Sequence, residues 1–402
     1  MSSASVSGSK RPRAEDGAVV PSTIVPCSFR GRPAVVLKND HLMVTILTGG
    51  GHIASMISPY APGLNPLWEP HWPTIDPSLR RLSVEGNIAE PGDKEGELLA
   101  GIGGINLCLD VFGQHSAGEV ESGLCFHGEA GLVTWEVDSW KDGTLTLTAE
   151  LTRTMLRCTR SYRLEGPELH CTEKLTNLAS FERVLGRCQH VTFGDQFLTG
   201  AECQFEALCD KGMTWPTDMD PSGALNSQWQ PATVFDYPDI PRRPRAAAGG
   251  EGAAPTTTTA ATDSWTAFPR PGVAKSSDLA TMRVDPDSIT GWFTVSRQAE
   301  APAEGNADGG APGMIFSCMW EREAFPWLMT WEENQARSHK PWGSKTVCRG
   351  LEISSYAFAT SRRDNVERGK LFDTPCYEWL DANETKSTEY AYVYAPASYK
   401  PK

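Results

Sequence analysis

Apolar and polar residues alternate with a period of two along most of the chain. From Pro33 to Met56 the pattern is strand, turn, strand: AVVLKND is followed by HLMVTILTGGGHIASMI, whose β-branched residues run up to a glycine triplet. From Leu132 to Phe205 the segments LVTWEVDSW, TLTLTAELTRTMLRCTRSYRL and LHCTEKLTNL are separated by the turn signals KDG and EGPE. The last third resumes with GMIFSCMW, AFPWLMTWEE, TVCRGLEISSYAF and STEYAYVYAP. Closely spaced alternating segments with polar turns between them predict antiparallel pairing rather than βαβ units. The expected fold class is therefore all-β: a large antiparallel β-sandwich with few, short helices.

Four stretches break the alternation. PGLNPLWEPHWPTIDP at 62–77 reads as a loop rich in Pro and Trp, and GIGGINLCLDVFG at 101–113 as a glycine-rich segment without helical period. GIGGIN has the glycines of a phosphate-cradling loop, but no βαβ unit surrounds it, which argues against nucleotide binding. The stretches 241–263 and 299–313 are low in complexity and rich in Pro, Gly, Ala and Thr. They are expected to be flexible inserts, near 243–262 and 299–312, because such composition buries too little apolar surface to offset ordering entropy. Residues 1–22 read as a disordered N-terminal tail and 23–398 as one β-sandwich domain.

Charge and cysteine content narrow the function classes. With 37 Lys and Arg against 50 Asp and Glu, the net charge is −13. The basic residues form no long block, so a nucleic-acid partner is not expected. SKRPRAED at 9–16 is a short basic patch of the kind that usually belongs to a solvated tail. The first residues lack the apolar stretch of a signal peptide, and no later run is long enough to span a bilayer. A cytoplasmic location with no membrane partner is the expectation. The 11 cysteines are scattered, without a CxxC pair, and read as reduced and mostly buried. The sequon at Asn383-Glu384-Thr385 then reads as a chance match.

Three residues stand where chemistry could be placed. His127, in LCFHGEAGLVTWEV, lies between an apolar run and a Gly-Glu-Ala-Gly turn, and His190, in LGRCQHVTFGDQFL, ends an apolar strand that leads into a turn. Glu352 sits within VCRGLEISSYAF, where Leu351 and Ile353 share one face and the carboxylate takes the other. A carboxylate within a strand is usually solvated, but one lining a cleft suits a general base. Trp68, Trp72, Trp327, Trp331 and Trp342 lie in loops or at strand ends, where an indole can stack on the apolar face of a sugar. Since Trp is mostly a core residue, at most about two of these are expected in a cleft.

In order along the chain these segments resemble the aldose 1-epimerase, or galactose mutarotase, superfamily. Phe126-His127-Gly128 with Gly131 and Trp135 looks like its His-Gly-Gly…Gly-Phe…Trp segment. LTNLASFERVLGRCQHVTFG is similar to the strand carrying its catalytic Asn-His motif, with His190 on the histidine. LMTW at 328–331 lies where the family has a Tyr-Thr strand end, and RGLEIS resembles its Leu-Glu motif. The likeness spans about Asp40 to Pro396, the two inserts excepted. The family's Asn-His is Gln189-His190 here, and no arginine occurs between Arg81 and Arg153 to match the family's arginine before its first histidine.

The resemblance implies a divergent member with a galactose mutarotase-like sandwich that interconverts sugar anomers. Glu352 would take the anomeric hydroxyl proton, and His190 would protonate the ring oxygen. His127, Trp327, Trp331 and Arg349 would contact the sugar. It implies no metal or organic cofactor, a small-molecule sugar as partner, and a monomer or homodimer.

Three other readings compete with an epimerase of free aldoses. A catalytically silent carbohydrate-binding or regulatory protein could use the same fold. A cupin-type metal isomerase would need histidines at metal-ligand spacing, and the eight present include no HxH or HExxH pair. A phosphosugar epimerase would want a basic pocket, for which Arg80, Arg81, Lys340, Lys345 or Arg349 could serve.

Overall fold

The alternating segments pair into two large antiparallel sheets. The computed structural model describes residues 23–79, 94–244, 261–270, 273, 275–300 and 312–400. The tail at 1–22 and most of both inserts lie outside the described residues.

One sheet has 11 strands, and its centre runs in the spatial order Ile105–Leu109, Arg187–Gly194, Val347–Ser354, Trp327–Asn334, Ser276–Val284. The other has 8 strands, with Glu168–Asn177 between Thr385–Pro396 and Leu156–Glu165. The turn chemistry explains the pairing. In KDG, Asp142 and Gly143 both take positive φ, at 52° and 76°. That matches the turn which carries strand twist through a two-residue hairpin loop, and it joins Glu136–Lys141 to Thr144–Leu151.

The core fills the space between the sheets. Phe193, from the larger sheet, meets Phe316 edge-on at 5.0 Å and Phe293 at 6.3 Å, both from the smaller one. Burying each such ring contributes about 1.5–3 kcal/mol. Gln189 points the same way as Phe193 and completes a buried polar network, donating from Nε2 to Glu173 at 3.0 Å and accepting from Arg160. With Gln189, Val191 and Phe193 committed to the core, His190 and Thr192 must face the opposite side of the sheet.

That side is covered as well. Every residue of Arg187–Gly194 and of Trp327–Asn334 is buried. Loops roof the outer face, and Trp68 reaches it by donating its backbone N–H to the Thr192 carbonyl at 2.8 Å.

Three local readings need correction. The glycine-rich stretch 101–113 contains the central strand Ile105–Leu109, buried at all five positions. Gly104 permits it, since a Cβ there would lie 2.0 Å from the Ile53 carbonyl oxygen and its φ is +61°. His190 sits mid-strand rather than at a strand end. His127 lies in a turn after the helix Ala117–Glu121, which starts on a Ser116–Glu119 capping box. Among the described residues, no helix is long and apolar enough to cross a membrane.

Candidate active site

On the covered face of the larger sheet is a cavity of about 470 Å³ with His127, His190 and Glu352 among its lining residues. Antiparallel register places His190 directly opposite Glu352 on the neighbouring strand. Their side chains meet at 3.1 Å, Nε2 to Oε1, and the other imidazole nitrogen lies 3.0 Å from the Thr192 hydroxyl. Both groups are buried, at 6% and 2% exposure.

Loss of water sets their protonation. Burial pushes the Glu352 carboxyl up to about 8 and drives the His190 imidazole down to about 4. Between these limits the pair holds one exchangeable proton, carried by the carboxyl or, after transfer across 3.1 Å, by the imidazole. A neighbouring acid and base are thus present in either arrangement.

Gly350 makes room for the pair. It lies on the cavity face two residues before Glu352, and a Cβ there would stand 3.2 Å from Cε1 of His190.

His127 approaches from the side. Its ring lies 5.5 Å from that of His190 and nearly perpendicular to it. The residue takes a left-handed φ of 59°, a conformation that costs a side-chain-bearing residue on the order of 1–3 kcal/mol and concentrates at functional sites. Gly128 (φ +85°) holds the turn against the Leu109 carbonyl, which a Cβ would approach to 2.0 Å. Burial above all, then repulsion between charged forms with His190, His115 and Arg337, holds the His127 imidazole well below its usual range.

The opposite wall is aromatic. Trp331 lies 6.2 Å from the His190 ring, and Trp68 stacks parallel to Trp342 at 5.9 Å. The indole N–H groups of Trp331 and Trp342 are buried without a hydrogen-bond partner. Three of the five candidate tryptophans, Trp68, Trp331 and Trp342, line the cavity, more than the expected two. Trp72 backs them, edge-on to Trp68 and Trp342 at 5.6 and 5.4 Å.

Two expected sugar contacts fall elsewhere. Trp327 shares a face with Trp331 but lies roughly 13 Å further along the strand at the usual rise per residue. It is fully buried, donating to the Pro375 carbonyl at 2.8 Å. Arg349 is odd-numbered where Glu352 is even, so alternation turns it into the inter-sheet core. There its guanidinium packs over Phe205 at 4.1 Å and pairs with Glu332 at 3.3 Å.

Sequence reasoning missed Arg337. This residue lines the cavity from the connection after Trp327–Asn334, with its guanidinium 5.2 Å and 4.9 Å from the ring centres of Trp331 and Trp342. Glu95 and Glu333 pair with it at 3.2 and 3.4 Å. Neither Lys340 nor Lys345 lines the cavity, whereas His339 does, and Arg80 and Arg81 lie outside the described residues. Nothing in a loop sequence signals that an arginine folds back over two indoles.

No family model and no curated protein matches the sequence. Solved structures do match the fold. A candidate aldose 1-epimerase from Klebsiella pneumoniae superposes with a TM-score of 0.58 at 14% identity, over 92% of this chain and 81% of its own. A galactose mutarotase-like protein from Clostridium acetobutylicum gives 0.51 at 14% identity, over 94% and 99%. A galactose mutarotase related enzyme from Lactobacillus acidophilus gives 0.51 at 12% identity, over 92% and 99%. Two antiparallel sheets, the covered face that holds the cavity and these superpositions together define the fold of this chain as the galactose mutarotase-like β-sandwich.

Proposed function

We propose that the protein interconverts the anomers of an uncharged aldose at the His190–Glu352 pair. The observation that carries the reading is the 3.1 Å contact of a buried acid and a buried base inside an aromatic-walled cavity. Solved neighbours of the same fold are described as a candidate aldose 1-epimerase and a galactose mutarotase-like protein, which supports it.

Anomer exchange needs one proton removed and one supplied. With the shared proton on the imidazole, Glu352 takes the proton of the anomeric hydroxyl while His190 gives its own to the ring oxygen. The C1–O bond of the ring breaks, and an open-chain aldehyde forms. Rotation about C1–C2 presents the other face of the carbonyl, and the reverse transfers close the ring and restore the pair. The reaction consumes nothing, and the residues named are sufficient to carry the protons. Trp331, Trp342 and Trp68 offer apolar faces to the sugar ring, and the two unpartnered indole N–H groups can donate to its hydroxyls. His127 contacts the sugar.

An uncharged substrate is favoured over a phosphorylated one. Arg337 lines the cavity with its charge already engaged by Glu95 and Glu333, so a phosphate would have to displace carboxylates to reach it. The test is polarimetry of freshly dissolved α-aldoses, free and phosphorylated, with and without the protein. Faster decay of optical rotation for free aldoses is the expected result. Sugar binding without faster decay would replace the enzyme reading by the carbohydrate-binding one.

A further inference from the structure

We propose that Cys108 is a positioning residue that fixes the tautomer of His127, so that this imidazole presents an Nε2–H donor to the sugar. The inference rests on the reading of His127 as a sugar contact, and it goes beyond it by stating which nitrogen carries the proton and what holds it there.

Two groups converge on Nδ1 of His127. The Gly113 backbone N–H donates to it at 3.3 Å, and the Cys108 sulfur lies 3.1 Å away. A backbone N–H can only donate, so Nδ1 must be the acceptor, and in a neutral ring the proton then belongs to Nε2. The sulfur side of the contact agrees. Asn106 donates from Nδ2 to the same sulfur at 3.4 Å, and the Cys188 thiol donates to it as well, so the Cys108 hydrogen is left to point at Nδ1. Burial pushes the Cys108 thiol up, so the hydrogen is present at neutral pH, and burial likewise keeps the His127 ring neutral.

Geometry makes the arrangement specific to this site. Cys108 lies on the central strand Ile105–Leu109, two residues from Asn106, the cross-strand neighbour of His190. Gly113 takes φ +81°, and a Cβ on it would lie 2.0 Å from the Ala359 carbonyl oxygen, so its backbone is held close against that of Ala359. His127 in turn is pinned in a left-handed turn. A ring fixed at one nitrogen by two donors has one free nitrogen, and it belongs to a residue lining the cavity. As an Nε2–H donor it complements a sugar oxygen's lone pairs. The opposite tautomer would set two N–H or S–H donors against a third.

The test uses the full chain labelled with ¹⁵N-histidine, together with Cys108→Ser and Cys108→Ala. Long-range ¹H–¹⁵N correlation assigns the tautomer of His127, and tryptophan fluorescence and polarimetry give the sugar affinity and the kcat and KM for D-galactose and D-glucose. The Nε2–H tautomer is expected in the wild type and in Cys108→Ser, whose hydroxyl still donates. Cys108→Ala should shift the His127 Nδ1 resonance and weaken sugar affinity about three- to tenfold, the equivalent of one net hydrogen bond, through KM with kcat little changed. An Nδ1–H tautomer in the wild type overturns the proposal, as does a Cys108→Ser protein that behaves like Cys108→Ala in both readouts. If His127 carries its proton on Nε2 and Cys108→Ala moves the Nδ1 signal while no aldose mutarotates, the positioning stands and the enzymatic reading falls. Mutarotation with the proton on Nδ1 has the opposite meaning.

Discussion

A Cβ added to Gly350 would stand 2.6 Å from Oε1 of Glu352. The atom it would meet is the tip of a side chain, so the carboxyl can give way while the backbone stays. Gly350→Ala should therefore fold with a melting temperature near that of the wild type but lose the 3.1 Å contact to His190. A displacement of about 1 Å at a reacting group can cost on the order of 10²-fold in rate, and polarimetry at saturating aldose should show a loss of that size. An unchanged rate would remove Glu352 from the reaction.

Glu352→Gln and His190→Ala should each lower the mutarotation rate on the order of 10²–10⁴-fold, the usual contribution of a positioned acid or base. His127→Ala should act mainly on KM. A variant at Glu352 that kept wild-type turnover would refute the assignment directly.

The rate should follow a bell-shaped pH profile with limbs near 4 and near 8, the two apparent values of the coupled pair. Below the lower limb both groups are protonated and no base remains; above the upper one both are deprotonated and no acid remains. A single sigmoid through neutrality would contradict the shared-proton arrangement.

Stability should carry the signature of the same carboxyl. Glu352 is raised in the folded state, so between about 4.5 and about 8 the native protein binds more protons there than the unfolded chain, and stability falls as pH rises through that window. His190 is depressed and contributes the opposite slope between about 4 and 6.5. The two partly cancel at acid pH, and Glu352 acts alone from about 6.5 to 8. Thermal unfolding of Glu352→Gln should thus gain on the wild type by an increasing margin across that range, on the order of a few kcal/mol at its upper end. Parallel curves would show that the carboxyl ionises normally.

Trp327 and Arg349 serve as controls for the cavity assignment. Trp327→Phe should leave sugar affinity unchanged, whereas Trp331→Ala should weaken it. Arg349→Met should instead destabilise the fold by about 1–3 kcal/mol, because it leaves the buried Glu332 carboxylate with Arg270 as its remaining ion-pair partner. Chemical denaturation and fluorescence titration distinguish the two kinds of loss.

The period-two pattern determined the fold class, since a face that must be buried leaves its mark on every second residue, and turn pairs such as Asp142-Gly143 set hairpin register locally. It also separated Glu352 from Leu351 and Ile353. The same rule, counted back three residues from Glu352, puts Arg349 on the core face. What the sequence could not hold were relations between distant segments. The strand Ile105–Leu109 is hidden among glycines because its partners, not its own pattern, make it a strand. His127 reaches His190 through a turn whose left-handed residue has no local signature. Arg337 comes from a loop and closes over Trp331 and Trp342, 242 residues in sequence from its partner Glu95. Protonation was equally out of reach: a carboxyl and an imidazole exchange their ordinary ranges for about 8 and about 4 only when neighbouring strands bring them together and loops exclude the water that would keep each one charged.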